Sequence, residues 1–452
     1  MPNGSFWVGK GGFNYKRSGG AGGRRNFALG LITNQPADVN NTYVAGAGVG
    51  ASSIATRRAR MLHATVNTPQ YPYNRMFNRL GLQMSGGSND YAYNWYFNDV
   101  WPNPYPVFKG QVQSTPTPEV PKSLCSNINV GSNQNFIAIS GNYAYVLTSL
   151  GAVKVIDTTS NALVNTISVG SAPTYIAISG NYAYVTNYGD GTVSVLNITN
   201  SPSISTTSVT VGNNPSYIAI SGNYAYVANT GGNTVSVLNI TNSPSISTTS
   251  VTVGNNPNYI AISGNYAYVA NGGGNTVSVL NITNSPSIST TSVTVGNNPT
   301  YIAISGNYAY VANGGGNTIS VLNITNSPSI STLTSVAVGE VPIYIAISGN
   351  YAYVANGGGN TVSVLNITTP SSISTPTSVT VGNNPNYIAI LGNYAYVANT
   401  GGNTVSVLNI TTPLSIPTPT SVTVGNGPQF IANNGNNIYV AKSYENTVSV
   451  LC

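Results

Sequence analysis

The chain has 452 residues, of which only 5% are charged, and it carries 49 Gly, 31 Tyr and 26 Pro; this is the composition of an all-β protein dense in turns. No apolar run approaches the ~18 residues needed to cross a bilayer, which excludes a membrane-spanning helix, and the opening Met-Pro-Asn-Gly-Ser-Phe-Trp lacks the apolar core of a secretory leader. Twelve of the 14 Lys and Arg lie at or before Lys122 against four carboxylates, whereas Lys154 and Lys442 face Asp157, Asp190, Glu340 and Glu445 beyond it. The basic first quarter is thereby expected to dock on something acidic, whether nucleic acid, a membrane surface or another protein.

In chain order, residues 1 to about 50 are rich in Gly and Asn without a sustained period and read as irregular. Ser52 to Ala64 offers a Ser cap followed by helix formers, which predicts one short basic helix carrying Arg57, Arg58 and Arg60. With Arg24 and Arg25 these arginines form the candidate assembly or anchoring set; they also suit phosphates, while the single His63 beside them is not read as a ligand. The aromatic run from Tyr91 to Phe108, interrupted by Pro102, Pro104 and Pro106, reads as a packed irregular segment. Residues 111–124, with Pro116, Pro118 and Pro121 among Ser and Thr, read as a linker. The expected organisation is an assembly region over 1–110, this linker, and one repeat domain over 125–452.

From Phe136 a phrase of the type Tyr-Ile-Ala-Ile-Ser-Gly-Asn-Tyr-Ala-Tyr-Val recurs eight times, headed by Phe136, Tyr175, Tyr217, Tyr259, Tyr301, Tyr344, Tyr387 and Phe430, in steps of 39 to 43 residues. Within one repeat the alternation of β-branched or aromatic runs with Gly, Asn and Pro predicts four strands: Tyr217 to Ser221, Tyr224 to Ala228, Thr234 to Ile240 and Thr248 to Val253. A four-stranded unit of this period cannot bury both of its faces alone, so neighbouring units must stack, and a closed ring follows. Gly-Asn-Tyr-Ala-Tyr-Val-Ala-Asn followed by Val-Ser-Val-Leu-Asn-Ile resembles the YVTN and LVIVD families of β-propeller repeats, a resemblance that covers roughly residues 125 to 452 and implies a fold, not a function.

The chain ends on Thr447 to Cys452, a third strand, so the last unit lacks its fourth. Cys125 to Gly131 matches the fourth-strand phrase and is expected to supply it, giving an eight-bladed β-propeller closed by an N-terminal strand in the last blade. Cys125 and Cys452, the only cysteines, both fall at this seam and are predicted to form a disulfide, which implies an oxidising destination.

The repeats hold no His, no Arg and only four carboxylates, so the expectation is a non-enzyme without cofactor or metal. Asp190 and Glu445, in loops between second and third strands, and Glu340, between blades, are expected on one face and are its candidate ligand groups; isolated turn residues or surface ion pairs such as Lys442 with Glu445 are the commoner use. Asn197, Asn239, Asn281, Asn323, Asn366 and Asn409 each begin Asn-Ile-Thr, a formal N-glycosylation sequence. Asp157 in the equivalent first-blade position argues instead for a turn-capping role. The aromatic residues heading the first strands are expected to pack between blades near the channel mouth, where sugars also stack.

The arm, through Gly22-Gly-Arg-Arg-Asn-Phe-Ala-Leu-Gly and Gly48-Val-Gly-Ala-Ser-Ser-Ile-Ala-Thr-Arg-Arg-Ala, loosely resembles uncharacterised proteins of large DNA viruses. The whole predicts a structural or display protein at the virion surface or outside the cell, assembling through its arm with itself or with other structural proteins. The alternative is a carbohydrate-binding or adhesive propeller.

Overall fold

The structure, a computed structural model, describes residues 124–131 and 133–452. The expected helix over residues 52–64 and the five arginines of the arm lie outside these residues. What is described is eight four-stranded antiparallel sheets, each meandering in chain order except the last, which takes Leu124–Asn129 as its outer strand beside Thr447–Leu451. The third blade is representative: Pro215–Ser221, Tyr224–Asn229, Thr234–Asn239 and Ser247–Thr252. Among the described residues, helix is confined to one 3-10 turn at Pro413–Ser415.

The local structure follows from a few residues. Ser221 pairs with Tyr224, so Gly222-Asn223 is a two-residue hairpin loop. Gly222 holds φ +55°, the left-handed conformation that the first position of such a loop requires and that a side chain resists. Each first strand carries a register shift between its first and third residues, as between Pro215 and Tyr217, and this repeated bulge turns the aromatic residue that follows it.

The blades stack because alternate residues face opposite neighbours. Between the second and third blades, Tyr184, Val193 and Val195 meet Ile218, Ala225, Val227, Leu238 and Ile240. The same layer recurs around the ring and ends where Ile128, Val130, Tyr439, Ala441, Val448 and Val450 of the last blade meet Ile137, Ala144, Val146 and Ile156 of the first. Truncating a fully buried Leu in such a layer, Leu238→Ala for instance, costs about 2 to 5 kcal/mol. Closure is thus made of the same apolar contact as every other joint.

Five joints carry an added polar latch, one of them the seam, where the Tyr439 hydroxyl lies 2.9 Å from Asn161 Oδ1 and 3.2 Å from Thr158 O of the first blade. Tyr145, Tyr184, Tyr226 and Tyr268 reach the next blade's Ser201, Ser243, Ser285 and Ser327 at 2.7–2.8 Å. Ser285 already donates to the Ile282 carbonyl, so the Tyr226 phenol is the donor to it. In later blades the Asn-Ser-Pro segment becomes Thr-Thr-Pro or ends, and the buried Tyr396 hydroxyl has no partner. Burial pushes Tyr310, Tyr353 and Tyr396 up to about 12. Tyr226→Phe is therefore expected to cost about 1 kcal/mol in urea unfolding, whereas Tyr396→Phe is neutral or slightly stabilising, because only the first loses a bond.

Candidate functional site

The loops between second and third strands and the loops between blades meet on one face. Thr230 N donates to Asn214 O at 3.0 Å and Gly231 N to Asn213 O at 3.2 Å, so the two loop types are stitched together. Beneath them lies a repeated polar knot. Fully buried Asn229 donates its amide to Thr234 Oγ1 and Ser236 Oγ, and Ser236 Oγ also accepts the N–H of Gly212. Gly212 is needed there because a Cβ would stand 2.6 Å from Asn229 Cγ. Asn187, Asn271, Asn313, Asn356 and Asn399 repeat the arrangement, and in all six the amide oxygen is buried without a partner.

The last blade departs from this pattern. Lys442 replaces the buried Asn, and its side chain is 1% exposed. Its ammonium donates to Glu445 Oε1 at 2.9 Å, Val424 O at 2.9 Å and Asn127 Oδ1 at 3.2 Å. Gln134, which stands where the other blades have Pro, receives the Lys442 N–H and donates to Glu445 O, tying the last blade to the first. The pair read as a surface ion pair is half wrong: Glu445 is partly exposed, but Lys442 is sealed inside the seam because its three hydrogens meet three acceptors.

The three candidate ligand carboxylates lie in loops of different blades on this face, and those of Asp190 and Glu445 have local partners. Asp190 accepts the N–H of Ser171 at 2.7 Å and the Ser171 hydroxyl, which hold its carboxyl below the ordinary range. Glu445 accepts the N–H of Asn426 at 2.6 Å, and this bond, with Lys442 adding to it against the opposing effect of burial, lowers its carboxyl likewise. Glu340 is exposed, and its carbonyl accepts from Gly358 and Gly359. Among the described residues no three His, Cys, Asp or Glu gather as a metal site would require.

The six Asn of the Asn-Ile-Thr sequences sit at the ends of the third strands. Each accepts the N–H of its own Thr at 2.9–3.0 Å, as Asp157 accepts that of Thr159 at 2.8 Å. The turn-capping role is therefore present in all seven.

The feature that sequence reasoning only half caught is in the channel. The innermost strands contact one another all the way round, the eighth meeting the first. Their heading aromatics form an unbroken circle: successive ring centroids from Phe136 through the six tyrosines to Phe430 and back stand 4.0–4.9 Å apart, mostly tilted by about 40–60°. Packing between blades is thus their use, and the ring faces that a sugar would stack on are taken by neighbouring rings. The eightfold recurrence of an aromatic at one position was the available signal; closure of the circle needed the geometry.

Comparison with known proteins agrees on the architecture. The profile of the family described as lactonase, 7-bladed β-propeller, matches residues 200–300 and 274–451, and that of the LVIVD repeat matches residues 131–162 and 170–203. No curated protein matches the chain. Among solved structures, Sqt1 of Saccharomyces cerevisiae superposes with a TM-score of 0.61 at 10% identity, covering 73% of this chain and 99% of that one. BamB of Moraxella catarrhalis gives 0.57 at 14%, covering 73% and 99%. The dihydro-heme d1 dehydrogenase NirN gives 0.54 at 15%, covering 66% of each. At these identities the likeness is one of fold. The lactonase matches together take in more than half of the sequence, so the chain belongs to that β-propeller family, as a member with eight blades in place of seven.

Proposed function

We propose that the protein is a structural display protein of a virion surface or fibre, in which residues 1–110 assemble or anchor and the propeller is presented outward. The observation that carries the reading is how the charged groups of the ring are used. Asp190 and Glu445 hold loops, Lys442 and Glu445 hold the seam, and the polar residues of the channel mouth hold neighbouring blades, as Asn135 Nδ2 holds Pro173 O at 2.8 Å and Thr300 Oγ1 holds Pro342 O at 3.1 Å. Groups arranged in this way supply rigidity instead of a shared acid and base. A disulfide joining strands at the seam supports an oxidising, extracellular or virion-surface location.

Electron microscopy of the full-length protein tests the reading. Ordered filaments or particles are expected, and Arg57→Ser, Arg58→Ser and Arg60→Ser combined should disperse them into single rings. Dispersed rings in the unmodified protein would overturn it. The family match favours a second reading, lactone hydrolysis on the loop face; it requires lactone turnover that disappears in Asp190→Asn or Glu445→Gln.

A further inference from the structure

The turn cap accounts for only part of each Asn-Ile-Thr sequence. Asn197, Asn239, Asn281, Asn323, Asn366 and Asn409 stand where the third strands end, on the rim opposite the loop face, one in each of blades two to seven. The cap uses their Oδ1 atoms, whereas their Nδ2 atoms make no hydrogen bond and are not buried, so each amide nitrogen is open to solvent. The buried Asn of the same blades are the opposite case. Asn229, for instance, spends both amide hydrogens on Thr234 and Ser236. Every Thr that closes an Asn-Ile-Thr sequence is exposed.

Capping alone does not call for this sequence. It uses the backbone N–H of the third residue, whatever its side chain, and Asp157 makes the same bond in the first blade. Yet the Thr stays where the chain after it changes: Asn200-Ser201-Pro202 of the second blade gives way to Thr369-Pro370 in the sixth and Thr412-Pro413 in the seventh, behind an unaltered Asn-Ile-Thr. Among the described residues no other Asn-X-Ser/Thr occurs with X other than Pro. On the loop face, Asn214-Pro215-Ser216 and Asn298-Pro299-Thr300 carry the Pro that bars attachment of a sugar. The two blades without the sequence are those of the seam, where Asp157 and Cys452 take the place and Cys452 is bonded to Cys125, next to Leu124. The outer strands beside the six sites, such as Ser247–Thr252, whose Ser247 pairs with Asn239, are exposed sheet edges with neither a charge nor a Pro to guard them.

We propose that these six Asn are N-glycosylation sites and that the propeller carries a crown of sugars on the rim opposite its loops. The acceptor is the solvent-open Nδ2, and the donor is a polyprenyl-diphosphate oligosaccharide met in the oxidising compartment that the disulfide implies. One C1–N bond forms, the C1–O bond to the diphosphate breaks, the diphosphate takes up the amide proton, and nothing is oxidised or reduced. The inference shares with the display reading only the oxidising location, and it holds whether or not the arm builds fibres.

Passage of the full-length protein through the secretory route of yeast, behind a fused leader, tests this by peptide mass mapping before and after enzymatic removal of N-glycans. Sugar is expected at all six rim sites, in chains whose Cys125–Cys452 bond is formed. Thr241→Val and Asn239→Asp should each lose the sugar of Asn239 alone and keep the other five. Neither should move the melting temperature, because the first keeps the capped N–H and the second copies Asp157. Asn3 and Asn40 begin the same kind of sequence in the arm and report that the route is working. Sugar on the arm with a bare rim, no sugar at all, rim sugar confined to chains lacking the disulfide, or sugar at Asn239 that survives Thr241→Val would each overturn the proposal.

Discussion

Replacing Cys125 and Cys452 by Ser is expected to lower the stability of the ring by about 5 kcal/mol, the loop-closure value for a very long loop. The two half-cystines are separated by 327 residues, with Cα atoms 6.1 Å apart, so almost the whole propeller lies inside the covalent loop and the unfolded chain loses the most freedom. For a domain of this size that corresponds to a melting temperature lower by on the order of 10 °C. The bond also has a local consequence. Leu124–Asn129 is the only strand of its blade that comes from the other end of the chain, and it is held beside Thr447–Leu451 by the ladder Leu124↔Leu451, Asn127↔Ser449 and Asn129↔Thr447. Without the covalent link this strand can fray, taking Ile128 from the joint between the last and first blades. Calorimetry of the Ser variant, and of the reduced parent, checks the size. Hydrogen exchange should show protection lost first in Leu124–Asn129 and Thr447–Leu451; unchanged melting and exchange would mean that the ladder alone closes the ring.

The fold was readable because the repeat encodes it many times over. The strand expected at Tyr224 to Ala228 is Tyr224–Asn229, and the one expected at Thr248 to Val253 is Ser247–Thr252, since β-branched alternation bounded by Gly and Asn leaves little room for error. The first strand begins two residues before its expected start, at Pro215. Pro reads as a strand breaker, yet here it sits at the strand's first residue, beyond a bulge, where its missing N–H costs no ladder bond. The seam was readable from strand counting and the position of two cysteines, and the structure bears out both the shared blade and the disulfide.

Lys442 was not readable in this way. In sequence it is a lone cation three residues from Glu445, the spacing of a surface pair, and its burial depends on Gln134 and Asn127, more than 300 residues away. Nor could the sequence say that the aromatics from Phe136 to Phe430 close into an unbroken circle of rings, because that depends on a bulge and on closure of the propeller.

Lys442→Ala is expected to cost about 3 kcal/mol or more, the effect of removing one partner from a buried charged network. The reason lies in the hydrogens. Ser449 Oγ stands 2.7 Å from Asn127 Oδ1 and 2.8 Å from Val424 O but has one hydrogen to give. The ammonium of Lys442 serves both of those acceptors and Glu445 as well. Without it a buried oxygen is left unpaired and the cavity of a long side chain remains. Lys442→Asn, which copies the residue of six other blades, meets Thr447 and Ser449 at the offsets where Asn229 meets Thr234 and Ser236, so it is expected to recover part of the loss but not the ion pair with Glu445.

The pH dependence has a definite sign. Glu445 and Asp190 have carboxyls lowered in the folded state, so their contribution is present above the ordinary carboxylate range of about 4 and is lost as pH falls through the lowered folded values. Urea unfolding at neutral pH and at successively lower pH should show stability declining below about pH 4 to 5, and less steeply in Lys442→Ala, where one cause of the Glu445 shift is gone. Since Lys442 holds Asn127 of the same strand that the disulfide tethers, the two changes are not independent. In the Cys-to-Ser background the strand frays and takes Asn127 with it, so Lys442→Ala should cost less there than in the parent. A double-mutant cycle showing simple additivity would separate the buried cation from the strand that closes the ring.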